Sequence, residues 1–365
     1  QIDVYVNVNY EGKYPPMTSP YSELTPVLSA CPEPGQALEV VPGVRWLRMT
    51  LPFALNHINL WLLRDQFQGR EGWTLVDTCI DHPESRKAWE SVFEQYLDGL
   101  PIVRVVVTHM HPDHVGLAHW LCQRWNAPLW MSATDYNQAR LGSGPIQGFG
   151  GAAAEAFYAQ HGMRQDEQLA YIRGRGQHYA RMVPEMPASY RRLMDGMTLS
   201  VGGHEWRCIS GHGHTPEHMA LYDAERELLI SGDMVLPRIS TNVAVFETEP
   251  EGDPLALFLD SIRRFLDLPH TTCVLPSHGE PFVGLHTRIA QLTQHHDERL
   301  GELWAFCRSA QSAHDVLPVL FRRELDPMQT AFAMGEAIAH LNHLWHQGQL
   351  RRIQGERSEW RFVAV

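Results

Sequence analysis

The sequence predicts an α/β fold in which two mainly β-stranded runs form a sandwich of two sheets with helices on the outside. Short apolar runs bounded by turn residues recur between about residues 39 and 135 and again between residues 197 and 278. A stretch with helical patterns, at about residues 137–195, separates the two runs. Helical patterns dominate beyond residue 285, so we expect a main domain over residues 1–285 and a second domain over residues 286–365.

The first half of the chain begins with an arm and continues with alternating strands and helices. Residues 1–38 are rich in Pro, Tyr and Ser and show no sustained period, so we interpret them as an irregular arm lying on the main domain. Strands are predicted for VVPGVRWLRM, INLWLLRD, GWTLVDT, IVRVVV and PLWMSA, and helices for ESRKAWESVFEQYLDGL and HVGLAHWLCQRW. The helical stretch at about 137–195 then has the position of an insert that caps a substrate site.

The second half returns to strands and ends in helices. Strands are predicted for MTLSV, HEWRCIS, HMALYDA, ELLISGD and TTCVLPSH, and helices for RIAQLTQHHDERLGELWAF, VLPVLFRREL and TAFAMGEAIAHLNHLWHQG. The last segment, LRRIQGERSEWRFVAV, has two short strand patterns around a polar turn. Helices followed by a β-hairpin are typical of a winged-helix module, which we expect for residues 286–365.

Composition excludes several classes of protein. No stretch of the 365 residues approaches the roughly 18 uncharged apolar residues that a membrane span needs, so we expect no membrane association. The net charge of −12 argues against a protein that wraps nucleic acid by neutralising phosphate. Six cysteines without a C-x-x-C pair favour reduced thiols and a cytoplasmic location. Whether Gln1 is the native start stays open.

The segment VTHMHPDHVG, residues 107–116, concentrates metal-binding side chains directly after the apolar run IVRVVV. His109 and His111 alternate along the end of a predicted strand, so both side chains point the same way. Asp113 and His114 follow in the loop before the next helix. This spacing favours a metal site over a solvated loop.

Three later strand ends carry further candidate ligands. SGHGHTPEH supplies His214, LLISGDM supplies Asp233 and VLPSHGE supplies His278. A carboxylate such as that of Asp233 at the end of an apolar strand would be costly to bury without a partner. Structural histidines scattered at random would not recur at strand ends in this way, so the four segments together predict one metal centre.

These motifs resemble those of the metallo-β-lactamase superfamily. T-H-M-H-P-D-H-V-G is similar to its H-x-H-x-D-H signature, GHTPEH, SGD and PSHG resemble its later motifs in order, and LVDTCI resembles its early D-T-G turn. The resemblance covers roughly residues 40–285. It implies a catalytic main domain with an αββα sandwich and a two-metal site on one edge.

The resemblance also implies roles for individual residues. His109, His111 and His214 would hold the first metal, Asp113, His114 and His278 the second, and Asp233 would bridge both, with Asp77 as an outer anchor. Asp113 and Asp233 would be the catalytic carboxylates. Five imidazoles and two carboxylates suit two divalent transition metals, zinc first and iron or manganese as alternatives, better than magnesium. Structural zinc sites are typically rich in cysteine, and no cysteine occupies a ligand position.

Three positions depart from the superfamily pattern. Cys79, His212 and Glu217 stand where the superfamily usually has Gly, Pro and Gly. His212 lies two residues before His214, so we predict a substrate contact; a hydrogen bond to a loop carbonyl is an alternative that the sequence leaves open. For His218 we expect a structural role rather than metal binding.

The superfamily hosts several reactions, so the fold does not fix the substrate. Flavodiiron oxidoreductases usually carry Glu at the position of His111, and true β-lactamases usually carry Cys at the position of Asp233. The ligand set of His and Asp alone looks like that of glyoxalase II-like hydrolases. The resemblance therefore implies hydrolysis of a small thioester, ester or lactone by a metal-bridging hydroxide.

Substrate contacts are predicted at two places. Arg238 follows Asp233 by five residues and would pair with a carboxylate or phosphate at the rim of the site; a surface salt bridge is the alternative. Aromatic residues of the insert would line an apolar pocket or serve ordinary helix packing: Phe149, Phe157, Tyr158, Tyr171 and Tyr179.

The alternative function is a metal-dependent endoribonuclease. The C-terminal segment and HMALY are similar to an endoribonuclease branch of the superfamily, and four arginines could contact phosphate: Arg351, Arg352, Arg357 and Arg361. Acidic residues interleave them, however, and such modules also serve packing or homodimer contacts. A protein that uses metals only to hold a ligand is a third hypothesis.

Overall fold

Two sheets form the centre of the protein, which a computed structural model describes over residues 24–144 and 150–365. Most of the predicted arm, residues 1–23, lies outside the described residues, whose first strand is β1 (Thr25–Pro26). One sheet then runs in chain order through β2 (Ala37–Val41), β3 (Val44–Thr50), β4 (His57–Phe67), β5 (Arg70–Val76), β6 (Ile102–Val106), β7 (Leu129–Ser132) and β8 (Arg191–Leu193). The strands of the second sheet are β9 (Thr198–Val201), β10 (His204–Gly211), β11 (His218–Asp223), β12 (Leu228–Gly232), β13 (Cys273–Pro276) and β14 (Phe282–Val283), with β1 at the edge beside β14.

The two sheets pack face to face because alternate residues of their strands are apolar. In β3, Val44 and Trp46 face the core between the sheets, whereas Leu47 and Met49 face the opposite side. Trp206 of β10 contributes to the same inter-sheet core from the second sheet. The alternation of buried residues along β3 therefore gives each face of this sheet its own core.

Helices cover both outer faces of the sandwich. On the first sheet lie α1 (Pro83–Gln95), α2 (Pro112–Val115), α3 (Ala118–Trp125) and α4 (Ala133–Gly142), joined by α7 (His178–Met182). The second sheet is covered by α5 (Gly151–Gln160), α6 (Asp166–Gly174), α8 (Pro254–Arg263), α9 (Leu285–Phe306), α10 (Leu317–Leu320) and α11 (Pro327–His346). The predicted αββα sandwich is confirmed.

The predicted insert is helical, with the short strand β8 near its end. Phe157 and Tyr158 are buried in the core of the second sheet, whereas Tyr179 is buried against the first sheet. Tyr171 is partly buried against the second core. Ordinary packing thus accounts for most of the insert aromatics, and Phe149 lies outside the described residues.

The C-terminal segment forms helices followed by a hairpin, as expected. The hairpin consists of β15 (Leu350–Gln354) and β16 (Trp360–Ala364). Helix α10 is shorter than predicted because the backbone becomes extended at Phe321. Whether this segment is a winged-helix module, and whether residue 286 is a domain boundary, stay predictions; the apolar core of the second sheet continues into α9, α11 and the hairpin without interruption.

Several local features differ from the sequence-based prediction. The strand predicted over VVPGVRWLRM is a hairpin of β2 and β3, because Pro42 and Gly43 form a turn. Helix α8 was not predicted, although its start has a clear signal: Asp253 caps it by accepting a hydrogen bond from the Ala256 N–H at 3.0 Å, and Pro254 occupies the first turn. The helix predicted over HVGLAHWLCQRW is split in two at Gly116 and Leu117. A side chain at position 116 would collide with the Pro112 carbonyl and the backbone of Ile80, which explains why glycine is needed there.

Within the described residues, no helix combines the length and hydropathy that crossing a membrane requires.

Candidate metal centre

All seven predicted metal ligands lie together at one edge of the sandwich. They follow strands of both sheets or sit in the short helix after β6: His109, His111, Asp113, His114, His214, Asp233 and His278. Strands β12 and β13 pair in parallel, so the residues after their carboxyl ends meet at the same edge. The fold therefore collects ligands that are up to 169 positions apart in the chain, from His109 to His278.

The first cluster consists of three imidazoles. The His111 Nδ1 atom lies 3.0 Å from His109 Nε2 and 3.1 Å from His214 Nε2. Burial lowers the pKa of His109 well below its ordinary value and that of His111 to about 3, so these rings are neutral. Neutral nitrogens that converge present lone pairs to one another, an arrangement that a cation between them would stabilise.

The second cluster combines two imidazoles with a carboxylate. Asp113 Oδ2 lies 3.6 Å from His114 Nε2 and 3.4 Å from His278 Nε2. Burial opposes the charged form of His278, but Asp233 and Asp113 raise its pKa to about 9. Burial likewise opposes charge on His114, and the carboxylates of Asp113 and Asp77 nevertheless raise its pKa. A positive charge is thus favoured at the centre of this cluster.

Asp233 lies between the two clusters and faces each with a different oxygen. Its Oδ2 is 3.4 Å from His214 Nε2, and its Oδ1 is 3.5 Å from both His114 Nε2 and His278 Nε2. His114 Nε2 and Asp233 Oδ1 are buried without a hydrogen-bond partner among the described residues. Such orphaned atoms are costly in a protein interior. Their convergence shows that the residues present fit bound metal ions.

The ring nitrogens that point away from the centre are held by protein acceptors. His114 Nδ1 donates to Asp77 Oδ2 at 2.8 Å, His214 Nδ1 to the Asn242 carbonyl at 2.7 Å, and His278 Nδ1 to the His57 carbonyl at 2.8 Å. These bonds fix the ring orientation and direct each Nε2 toward the centre, where a metal ion would take the place of a proton.

Asp77 occupies the anchoring place that the resemblance implies. Its Oδ1 also accepts the Thr108 N–H at 2.8 Å, so one carboxylate connects the strand end before His109 with the His114 ring. The backbone around it is unusual, with φ of 63° at Asp77 and 76° at Cys79. The left-handed region suits glycine, which explains the usual Gly at position 79. The Cys79 thiol is buried, with its sulfur 3.5 Å from the Ser85 hydroxyl.

Asp135 is a further anchor that the sequence did not reveal. Its carboxylate accepts the Met110 N–H at 2.9 Å and the Glu217 N–H at 2.8 Å. It therefore joins the loop of His109 and His111 to the loop after His214. Burial raises its pKa to about 6. The only sequence signal was an acidic residue in the first turn of the helix after β7, which is common in helices without such a role.

The other singled-out residues have backbone partners. His212 Nδ1 donates to the Pro216 carbonyl at 2.7 Å, the alternative that the sequence left open, and its predicted substrate contact stays a prediction. Asp233 donates its backbone N–H to His218 Nε2 at 3.2 Å, in keeping with the structural role expected for His218. A Cβ at Gly232 would lie 2.1 Å from this ring, so glycine is required beside it.

A cavity of about 1490 Å³ opens onto the metal centre. Asp113, His214, Asp233 and His278 form part of its wall. Much of the remaining wall comes from the insert, from the loop after β12, which includes the exposed Arg238, and from α9 and α11. The cavity therefore extends well beyond the metal ligands and reaches the C-terminal helices.

The family model of the metallo-beta-lactamase superfamily matches residues 55–278, and a model of the metallo-beta-lactamase-like C-terminal domain matches residues 300–365. The chain belongs to the metallo-beta-lactamase superfamily. It is accordingly a hydrolase of that superfamily with clustered His and Asp side chains that could hold metal.

Solved structures and curated relatives agree with this assignment. A beta-lactamase domain protein from Burkholderia ambifaria is 47% identical, with a TM-score of 0.90 over 95% of this chain and 100% of that chain. A metallo-beta-lactamase family protein from Thermus thermophilus is 28% identical, with a TM-score of 0.74 over 90% of this chain and 100% of that one. A probable metallo-hydrolase of Bacillus subtilis (strain 168) is 21% identical over 82% of this chain and 91% of its own length.

Proposed function

We propose that the protein is a binuclear metal-dependent hydrolase of small thioesters, esters or lactones. The observation that carries this proposal is the position of Asp233, whose two oxygens face two separate ligand clusters. A carboxylate placed in this way can bridge two metal ions. A single closed structural site would not need ligands in two clusters or an adjoining cavity.

Each metal would have its own protein ligands. His109, His111 and His214 would hold one ion, Asp113, His114 and His278 the other, and Asp233 both. The donor set of imidazole and carboxylate suits zinc, with iron or manganese as alternatives. Two ions held here would supply Lewis acidity and would lower the pKa of coordinated water toward neutrality.

The side chains of the protein prepare the site for this chemistry. Asp77 and Asp135 fix the loops that carry the ligands, through hydrogen bonds of 2.8 to 2.9 Å to backbone N–H groups. Asp113 and Asp233 provide the negative charge that offsets the cations. The surrounding cavity binds the substrate and limits the access of bulk water to its scissile carbonyl.

The ion pairs of the C-terminal arginines argue against the nuclease alternative. Arg352 forms an ion pair with Glu251 and lies over the rings of Trp345 and Trp360. Arg361 pairs with Glu359 at 2.8 Å. Two of the four cations proposed for phosphate contact are therefore committed to contacts within the protein, and this supports a small-molecule substrate.

Metal analysis combined with a substrate panel tests the proposal. After reconstitution with zinc, manganese or iron, elemental analysis should find close to two ions per chain. The loaded protein should hydrolyse at least one of acyl-coenzyme A, acyl-glutathione or a lactone, and the metal-free protein should not. Retention of one ion or none, or cleavage of single-stranded RNA without hydrolysis of the small substrates, would contradict it.

A further inference from the structure

Two polar residues of the insert line the cavity at a distance from the metal ligands. Arg175 begins a 3₁₀ turn, Arg175–Gln177, and His178 begins α7 directly after it. Both contribute to the cavity wall. Neither belongs to a motif of the superfamily resemblance, and neither is used in the function proposed above.

Arg175 is held by aromatic rings rather than by an acid. Its guanidinium carbon lies 4.9 Å from the centroid of Phe332 on α11 and 5.9 Å from that of Tyr171. Glu249 and Glu336 also line the cavity, but throughout residues 24–144 and 150–365 no carboxylate lies within ion-pair distance of Arg175. The stacked rings leave the N–H donors at the edge of the guanidinium available to a ligand.

A neighbouring arginine shows the more usual arrangement. Arg173, two residues earlier in the chain, forms a bidentate pair with Glu155, with both N–O distances at 2.5 Å. That pair lies on the outside of the insert, where Arg173 is exposed. Arg175 has no such carboxylate among the described residues. A ligand in the cavity could therefore supply the anionic oxygens that Glu155 supplies to Arg173.

His178 adds a second polar group with unused capacity. Its Nδ1 is buried and has no hydrogen-bond partner among the described residues. Burial, together with Arg175 and Arg181, lowers the pKa of His178, so the ring is neutral near pH 7. With Nδ1 buried and unpartnered, the neutral ring carries its proton on Nε2, and this N–H can donate one hydrogen bond to an anionic oxygen.

The position of these groups relative to the metal centre is fixed by the residue that follows. Tyr179 donates a hydrogen bond of 2.5 Å to the carbonyl of Met110, which lies between the ligands His109 and His111. The 3₁₀ turn and α7 are therefore tied directly to the metal-binding loop. A substrate with its carbonyl at the metals would have its distal part along this wall.

We infer that Arg175 and His178 form an anion-binding subsite, so that the preferred substrate is an ester or thioester that also carries a carboxylate or phosphate. This inference rests on the proposed hydrolase function. The anion would lie on the acyl part if it is a carboxylate of a dicarboxylic thioester, or on the leaving group if it is a phosphate of coenzyme A. In both cases two N–H groups of the Arg175 guanidinium would bind two oxygens of the anion.

Three thioesters separate these cases. S-butyryl-N-acetylcysteamine is neutral, S-succinyl-N-acetylcysteamine adds a carboxylate to the acyl group, and butyryl-coenzyme A adds phosphates to the leaving group. We expect the zinc-loaded protein to prefer one anionic thioester over the neutral one, and Arg175→Gln to lower kcat/KM for that substrate by about 10- to 100-fold, as for hydrogen bonds to charged groups. Turnover of the neutral thioester should change by less than about threefold.

Matched variants control for folding and for general charge. Arg181→Gln removes an exposed charge of α7 outside the cavity and should leave the preference intact. Arg175→Lys keeps the positive charge but lacks the paired N–H donors of the guanidinium, so it should give an intermediate loss of kcat/KM for the anionic thioester. An equal loss for all three thioesters in Arg175→Gln, or a wild-type protein without any preference for an anionic thioester, would overturn the inference while leaving the hydrolase function in place.

Calorimetry makes the test independent of turnover. Succinate and coenzyme A are titrated into the zinc-loaded wild type, Arg175→Gln and Arg181→Gln. Weaker binding of either anion to Arg175→Gln alone would support the subsite even if no thioester were hydrolysed, in which case only the proposed function would fail. Equal binding to all three proteins would overturn the subsite.

Discussion

The metal centre and the cavity wall obtain their polar groups in different ways. At the metal centre the outward ring nitrogens have protein partners, as in the bond of 2.8 Å from His114 to Asp77. In the wall, Arg175 is positioned by rings and has no acidic partner among the described residues. The difference indicates that the centre is arranged to hold ions in one geometry, whereas the wall retains binding capacity for a substrate.

The largest effect is expected when the Asp233 carboxylate, which faces both ligand clusters, is removed. Asp233→Ala should lower kcat by roughly three or more orders of magnitude and reduce the metal content below two per chain, because both clusters lose a shared ligand. Metal analysis and steady-state kinetics check this, with Asp267→Ala, an exposed acid outside the cavity, as the control. Turnover near that of the wild type would show that Asp233 does not bridge.

A smaller effect is expected at the anchor that joins the two ligand-bearing loops. Asp135→Asn keeps the size of the side chain, but its amide group can accept only one of the two backbone N–H bonds. Apparent metal affinity should fall about 10- to 100-fold, as for other outer partners of metal ligands. Competition with a chromophoric chelator measures this; unchanged affinity would mean that the loops keep their geometry without the carboxylate.

One hydrogen bond connects the cavity wall to the loop that carries His109 and His111, and it can be removed without changing a candidate ligand or Arg175. Tyr179→Phe removes the hydroxyl that bonds to the Met110 carbonyl and leaves the buried ring in place. A neutral hydrogen bond contributes about 0.5–1.5 kcal/mol, so kcat/KM should fall by about two- to tenfold. The control is Tyr222→Phe in β11, and equal losses in both variants would indicate that the bond does not couple wall and centre.

The smallest effect is expected at the exposed arginines of the hairpin. Arg351→Gln combined with Arg357→Gln leaves the paired Arg352 and Arg361 intact and so spares the fold. We expect kcat/KM on the best small substrate to stay within about threefold. If RNA is the substrate, binding should weaken and its salt slope should flatten by about 0.7 per lost contact on a single strand. Measurements at two salt concentrations distinguish these results.

The clustering of the candidate ligands could be predicted from the sequence because metal chemistry constrains residue types at strand ends. His109 to His114 stand in six consecutive positions, and His214, Asp233 and His278 each follow an apolar strand with glycine nearby. The sandwich could be predicted because two runs of short apolar strand segments are separated by a helical insert.

The insert and Arg238 were expected near the site, but the place of Arg175 in the wall could not be predicted because its neighbours meet it only through packing. Arg175 is positioned by the ring of Phe332 on α11, 157 positions later in the chain. No sequence pattern near residue 175 predicts this contact. The prediction that insert aromatics line a pocket had the same weakness. Phe157 and Tyr158 are aromatic, as pocket-lining residues often are, but they are buried in the core of the second sheet. Tyr179, in contrast, does line the cavity.

The apolar core that runs from the second sheet into α9, α11 and the hairpin has a consequence for cooperativity. Residues on both sides of position 286 share one buried cluster, with Phe258 and Ile289 in it together with Ile338 and Phe362. Elements that share a core tend to open together rather than separately. Phe332 and Glu336 of α11 line the cavity, so opening of this shared core would loosen the cavity wall at the same time. The rate of product escape and the stability of the C-terminal helices would then be two measures of the same motion.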